Sequence, residues 1–93
     1  MRDKIKPSEI DTGEHFWDSG FKEAASEIVA VLLINQLAKR GDTFDQWFTY
    51  GDVSEFIVER YHLRFISAWL ETEGDKYRVT NEFVRIVAQF MKP

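Results

Sequence analysis

The chain has 93 residues, 44% hydrophobic and 30% charged, with no cysteine and a formal net charge of −4. That length allows one domain, and that mix excludes a disordered chain, a collagen-like repeat, a disulfide scaffold and any cysteine-based nucleophile or zinc site. A pI near 5.1 gives no overall attraction to nucleic acid or to an anionic membrane.

Met1 to Ile10 is polar with alternating charge, so it does not read as a signal peptide. Residues 1–19 carry Pro7, Gly13 and scattered charges without a period, and the pattern predicts a loose tail. Phe16 and Trp17 at its inner end would anchor it to a single domain over 20–93.

The first element is a predicted helix from Phe21 to Arg40. Asp18 or Ser19 would cap it, Lys39 and Arg40 suit its dipole, and Gly41 stops it. Lys22, Glu23, Ser26 and Glu27 make a polar face on its first half. From Ile28 to Ile34 no face is polar, so the helix must be enclosed, either by its own core or by a second subunit. The run is far shorter than the roughly 20 residues of a spanning helix. No membrane partner is expected, and a cytoplasmic location is the default reading.

Asp42 to Tyr50 is an aromatic connector, with Phe44, Trp47 and Phe48 spaced for a short helical turn. Thr49 and Asp52 form a capping-box pair ahead of a core stripe of Val53, Phe56 and Ile57. A further helix is predicted over Tyr61 to Glu73. Gly74-Asp75 breaks it, and Lys76 to Thr80 alternates as a strand. Thr80 or Asn81 would cap a last helix over Glu82 to Met91, with Phe83, Val84, Ile86, Val87 and Phe90 apolar. Residues 42–59 hold Asp42, Asp45, Asp52, Glu55 and Glu59 and no base, whereas the basic side chains of the last third are Arg60, Arg64, Lys76, Arg78, Arg85 and Lys92. The acidic run reads as a solvated face or as a site for a basic partner.

The block Thr49-Tyr-Gly-Asp-Val-Ser-Glu-Phe-Ile57, the run Leu70-Glu71-Thr72-Glu73-Gly74 and the strand Tyr77-Arg78-Val79-Thr80 occur in an order that resembles the winged helix-turn-helix family. The resemblance covers residues 21–91. It implies an α+β, mostly helical winged-helix domain with a short wing and flanking N- and C-terminal helices. It also implies a small dimeric transcriptional regulator that lays one helix in the major groove of double-stranded DNA. Carried onto this chain, Arg60, His62, Arg64 and Ser67 on the recognition helix and Lys76 and Arg78 on the wing strand would contact DNA. Arg64 and Ser67 would read base edges. A homodimer would form through the outer helices, with Ile28, Val31, Leu32 and Phe90 at the interface.

The family pattern is not matched throughout. The wing is so short that Trp69 to Thr72 could itself be a strand, which would move the recognition helix to Val53–His62. Phe65 and Trp69 fall on a face that suits a protein partner better than DNA, so a winged-helix interaction module that binds no DNA is the alternative. A third reading is an aromatic ligand pocket of Phe16, Trp17, Trp47, Phe48 and Trp69. His15 and His62 lack ligand-like spacing to carboxylates, so no metal is expected. No phosphate loop or nucleophile set suggests an enzyme, and no cofactor is implied.

Overall fold

A computed structural model describes residues 2–13, 21, 23–57 and 59–93. It is a small α+β domain with a three-stranded antiparallel sheet. In chain order come helix α1 (Ala24–Arg40), strand β1 (Phe48–Thr49), helix α2 (Tyr50–Val53), a 3-10 helix (Arg60–Trp69), strands β2 (Leu70–Glu73) and β3 (Lys76–Val79), and helix α3 (Asn81–Val87). Short 3-10 turns at Pro7–Glu9 and Ala88–Phe90 flank this set.

Helix α1 stops where the sequence predicts. Gly41 adopts φ 76°, its N–H donates to the Ala38 carbonyl (3.1 Å), and Asp42 N–H donates to the Leu37 carbonyl (3.1 Å). The left-handed residue lets the chain fold back and satisfy the last carbonyls. The helix starts later than predicted, at Ala24, and the proposed caps Asp18 and Ser19 lie outside the described residues. Its expected polar face is not wholly solvated. Ser26 and Glu27 are buried, and the Ser26 hydroxyl donates to the Phe65 carbonyl (2.7 Å). That bond ties α1 to the 3-10 helix.

The connector forms no helical turn. Phe44 enters the core, and Phe48 becomes β1 instead. Thr49 then caps α2, its N–H donating to Asp52 Oδ2 (2.8 Å). This backbone bond, helped by the nearby Arg40 guanidinium, holds the Asp52 carboxyl below its ordinary value. Of the predicted stripe, Val53 and Ile57 are buried, but Phe56 turns outward beneath the Lys39 ammonium.

The helix expected over 61–73 ends at Trp69, and Leu70–Glu73 is a strand. The alternative register over 53–62 is not a helix, since α2 ends at Val53. Leu63 and Ile66, three residues apart, are both buried, and that spacing matches the three residues per turn of a 3-10 helix. At Ile66 the backbone leaves helical geometry (φ −118°, ψ 21°), so the segment is two short pieces joined by a kink.

β2 and β3 form a hairpin with Leu70 opposite Val79 and Glu73 opposite Lys76. Gly74 takes φ 62° in the two-residue turn, a conformation that a side chain would strain. β3 is central, with β1 on its other edge (Phe48 opposite Tyr77). Thr80 Oγ1 accepts from Phe83 N–H (3.1 Å), so Thr80 caps α3. Helix α3 ends at Val87, short of the predicted Met91, and Ala88–Phe90 tighten into a 3-10 turn.

The core is built by Leu33, Ile34 and Leu37 of α1, Phe44, Phe48, Leu63, Ile66 and Val79, and Phe83, Val84 and Val87 of α3. Residues 2–13 are not loose. Pro7 and Ile10 are buried, Ile10 bridges to Met91, and Lys92 N–H donates to the Glu9 carbonyl (2.7 Å). Phe16 and Trp17 lie outside the described residues. Among the described residues no helix is long and apolar enough to cross a membrane.

Candidate nucleic-acid interface

Alternation along the hairpin divides its side chains between two faces. Val79 is buried in the core, so Tyr77, two residues back, shares its face. Lys76 and Arg78 point the other way, with Glu71 and Glu73 opposite them on β2. The sequence-predicted contacts therefore separate into three places.

The first place is a cleft of about 530 Å³ between the 3-10 helix and the core-side face of the hairpin. Arg60, Tyr61, Arg64 and Ser67 line it from the helix, Thr72 and Tyr77 from the strands, and Leu63 and Leu70 form its apolar floor. At three residues per turn Tyr61 and Arg64 fall in one row, and Ser67 meets the same cleft from beyond the kink at Ile66. Arg60 Nε donates to the Tyr77 hydroxyl (3.4 Å). That bond raises the Arg60 guanidinium further above its ordinary value, with Asp75 adding a smaller push, so it is charged at any working pH. Arg64 is exposed and pairs with no carboxylate among the described residues. Two arginines and four hydroxyl-bearing side chains thus line the cleft, mostly through their carbon atoms, and none of the described residues that line it is acidic.

The second place is the opposite face of the hairpin. Arg78 Nη2 binds Glu71 Oε2 (2.9 Å), and its guanidinium lies over the Trp47 ring, 4.4 Å from the centroid. Arg2 binds the other Glu71 oxygen and also donates to the Val79 carbonyl (3.2 Å). The two guanidinium groups, Arg2 first, hold the Glu71 carboxyl below its ordinary value. Arg78 is therefore half-buried and paired, on the face of the hairpin away from the cleft. Lys76 is exposed on this same face, away from the cleft.

The third place is an apolar groove of about 240 Å³ beside α1, lined by Ala25, Ile28, Val29, Leu32, Phe56, Ile57, His62 and Phe65. His62 stands here, its ring 4.4 Å from Tyr61 and 6.1 Å from Phe65, and not among the basic side chains. Ile28 (50% exposed), Phe65 (40%) and Phe56 (37%) leave the rim open. Of the expected interface residues, Ile28 and Leu32 line this groove, while Val31 and Phe90 are partly buried against the chain's own core. Trp69 is partly buried and does not line this groove. It packs edge-on against Phe21, with ring centroids 4.8 Å apart, because the chain enters β2 at that point. Of the expected aromatic pocket, Phe48 is core, Trp47 lies under Arg78 and Trp69 packs on Phe21, while Phe16 and Trp17 lie outside the described residues.

The acidic segment is partly neutralised by the end of α1. Lys39 pairs with Glu55 (2.6 Å), and Arg40 pairs with Asp42 (3.0 Å) and Asp52 (3.6 Å). Among the described residues no group of His, Asp and Glu could hold a metal ion.

No known family model, curated protein or solved structure matches the chain. Its chemistry must be read from the cleft itself. Sequence reasoning missed Tyr61, Thr72 and Tyr77 as lining residues. The signal for Tyr77 was its two-residue spacing from the apolar Val79. Tyr61 needed the 3-10 spacing, which an α-helical wheel hides.

Proposed function

We propose that this domain is a winged helix-turn-helix of a small dimeric transcriptional regulator, binding duplex DNA through the face that carries Arg60, Arg64 and Ser67. The order helix, strand, helix, helix, strand, strand, helix, with the sheet arranged β1-β3-β2, supports the fold part of this reading. The observation that carries the function part is the composition of the cleft. In a chain of net charge −4, two arginines and four hydroxyl-bearing residues line one mostly apolar cleft, with no acidic side chain among its described lining residues. Guanidinium and hydroxyl donors suit phosphate oxygens and the acceptor edges of bases. Arg64 is the residue free to reach a base edge, and Arg60, pinned by Tyr77, holds a phosphate. Lys76 and Arg78 take no part.

Fluorescence anisotropy of a labelled mixed-sequence duplex, titrated at several salt concentrations, tests this. Each neutralised phosphate contributes a slope of about −0.9, so the Arg60 contact gives log K against log salt a slope near −1 per subunit, doubled in a dimer. No binding at low salt would sink the proposal.

The apolar groove favours a second element, self-association through α1. Ile28 and Leu32 on one side and Phe56 and Phe65 on the other give a second copy an apolar surface to cover. Light scattering on wild type and Ile28→Asp tests it. The expected result is a dimer that Ile28→Asp converts to a monomer, and a wild-type monomer at high concentration would contradict it. If the groove takes a different protein instead and duplex binding is absent, the interaction-module reading replaces the regulator.

A further inference from the structure

We infer that the cleft between the 3-10 helix and the hairpin is a pocket for one unpaired nucleotide: a phosphate held by Arg60 and Arg64, and a base lying against the Tyr61 ring. The inference rests on reading this face as a nucleic-acid surface, and it adds a ligand that duplex docking does not require. A volume of about 530 Å³ is within the usual range for a small-molecule site, so the cleft can take one nucleotide, whereas a duplex would meet only the residues at its rim. Its polarity is graded as a nucleotide needs. The floor, Leu63 and Leu70, is apolar, and the rim carries guanidinium and hydroxyl groups.

The two arginines are not equivalent. Arg60 is turned toward the cleft by a long bond to the Tyr77 hydroxyl (3.4 Å), and Tyr77 stacks on the buried Phe48 ring, with centroids 5.9 Å apart. Arg60 is therefore a preorganised half of an anion site. Arg64, which pairs with no carboxylate among the described residues, lines the same cleft and supplies the other half. Tyr61 is 55% exposed, so its ring is available to a base. Stacking on an aromatic ring tolerates every base, whereas the hydroxyls of Ser67 and Thr72 can donate to or accept from a base or sugar edge. A free nucleotide and an unpaired nucleotide within a strand offer the same phosphate and base.

The test is amide NMR of the isotopically labelled full chain, titrated in parallel with inorganic phosphate, a nucleoside monophosphate, a short oligothymidylate and a blunt duplex. The expected result is that the oligothymidylate, the monophosphate or both shift the signals of Tyr61, Ser67, Thr72 and Tyr77, at least tenfold more tightly than phosphate alone. If only the oligothymidylate does so, the source is a strand. If the monophosphate binds as tightly, it is a free nucleotide. Tyr61→Ala should weaken the same titration by about tenfold, the scale of one stacked base, with thermal unfolding unchanged. Phosphate binding as tightly as the nucleotide would overturn the base-stacking pocket. So would a duplex that binds while neither single-stranded probe moves the cleft signals, an outcome that leaves the duplex reading intact. Nucleotide binding without duplex binding would uphold the pocket and remove the duplex reading, and no response to any probe would remove both.

Discussion

The two faces of the β2–β3 hairpin each carry arginines, and the structure gives them opposite fates. On one face Arg78 is closed in by Glu71 and Trp47, with Arg2 completing the charge group. On the other, Arg60 is oriented by a neutral hydroxyl and Arg64 has no carboxylate partner among the described residues. An arginine paired with a carboxylate, as Arg78 is with Glu71, stabilises the fold a little and has guanidinium donors already committed within the chain. One held by a tyrosine hydroxyl keeps its full charge and gains a fixed position. Counting basic residues by sequence segment treats the two as equal, and geometry separates them.

The largest expected effect comes from removing what both faces stand on. Phe48 is fully buried under Tyr77, so Phe48→Ala should cost about 3–5 kcal/mol. Urea denaturation reads that loss, and a cost below about 1 kcal/mol would mean that the hairpin does not rest on Phe48.

A smaller effect is expected on the closed face. Glu71→Gln removes the carboxylate shared by Arg2 and Arg78 and should cost about 1 kcal/mol or less at neutral pH, because the group is partly exposed and screened by salt. The sign with pH follows from the lowered pKa. A carboxylate whose folded value lies below its ordinary 4.5 contributes fully above that value, and the contribution fades as pH falls through the lowered one. The gap in unfolding free energy between wild type and Glu71→Gln should therefore close on acidification. A gap that widened at low pH would contradict the ion-pair account.

The smallest effect sharpens the separation of the faces. Lys76 is exposed on the closed side, so Lys76→Ala should leave stability unchanged and duplex affinity within about twofold, the loss of a distant charge only. A loss of tenfold or more would return the wing strand to the DNA surface.

Much of the fold was legible in the sequence. Gly41, the Thr49–Asp52 pair, the Gly74 turn and the Thr80 cap each act through local backbone chemistry, and each does what its residue type predicts. The boundary at Trp69 was harder to read. Leu63, Ile66 and Leu70 fit a helical stripe as well as they fit a helix followed by a strand, and pairing with β3 decides the matter. The packing of residues 2–13 was not legible, because their anchors are long-range: Arg2 reaches Glu71, and Ile10 reaches Met91. For the site, Arg60, Arg64 and Ser67 do come together, whereas Arg78 and His62 part from them. Arg78 depends on strand alternation and on Trp47, a cross-sheet neighbour that no local spacing reveals. His62 depends on the turn of a 3-10 helix.

The most direct measurement titrates one labelled duplex with wild type, Arg64→Ala and Arg78→Ala side by side, in low and moderate salt. The account predicts that Arg64→Ala weakens binding by about tenfold or more, the scale of one arginine contact, while Arg78→Ala binds as wild type does. Equal losses from the two variants, or a loss from Arg78→Ala alone, would contradict the claim that the cleft face is the one that meets DNA.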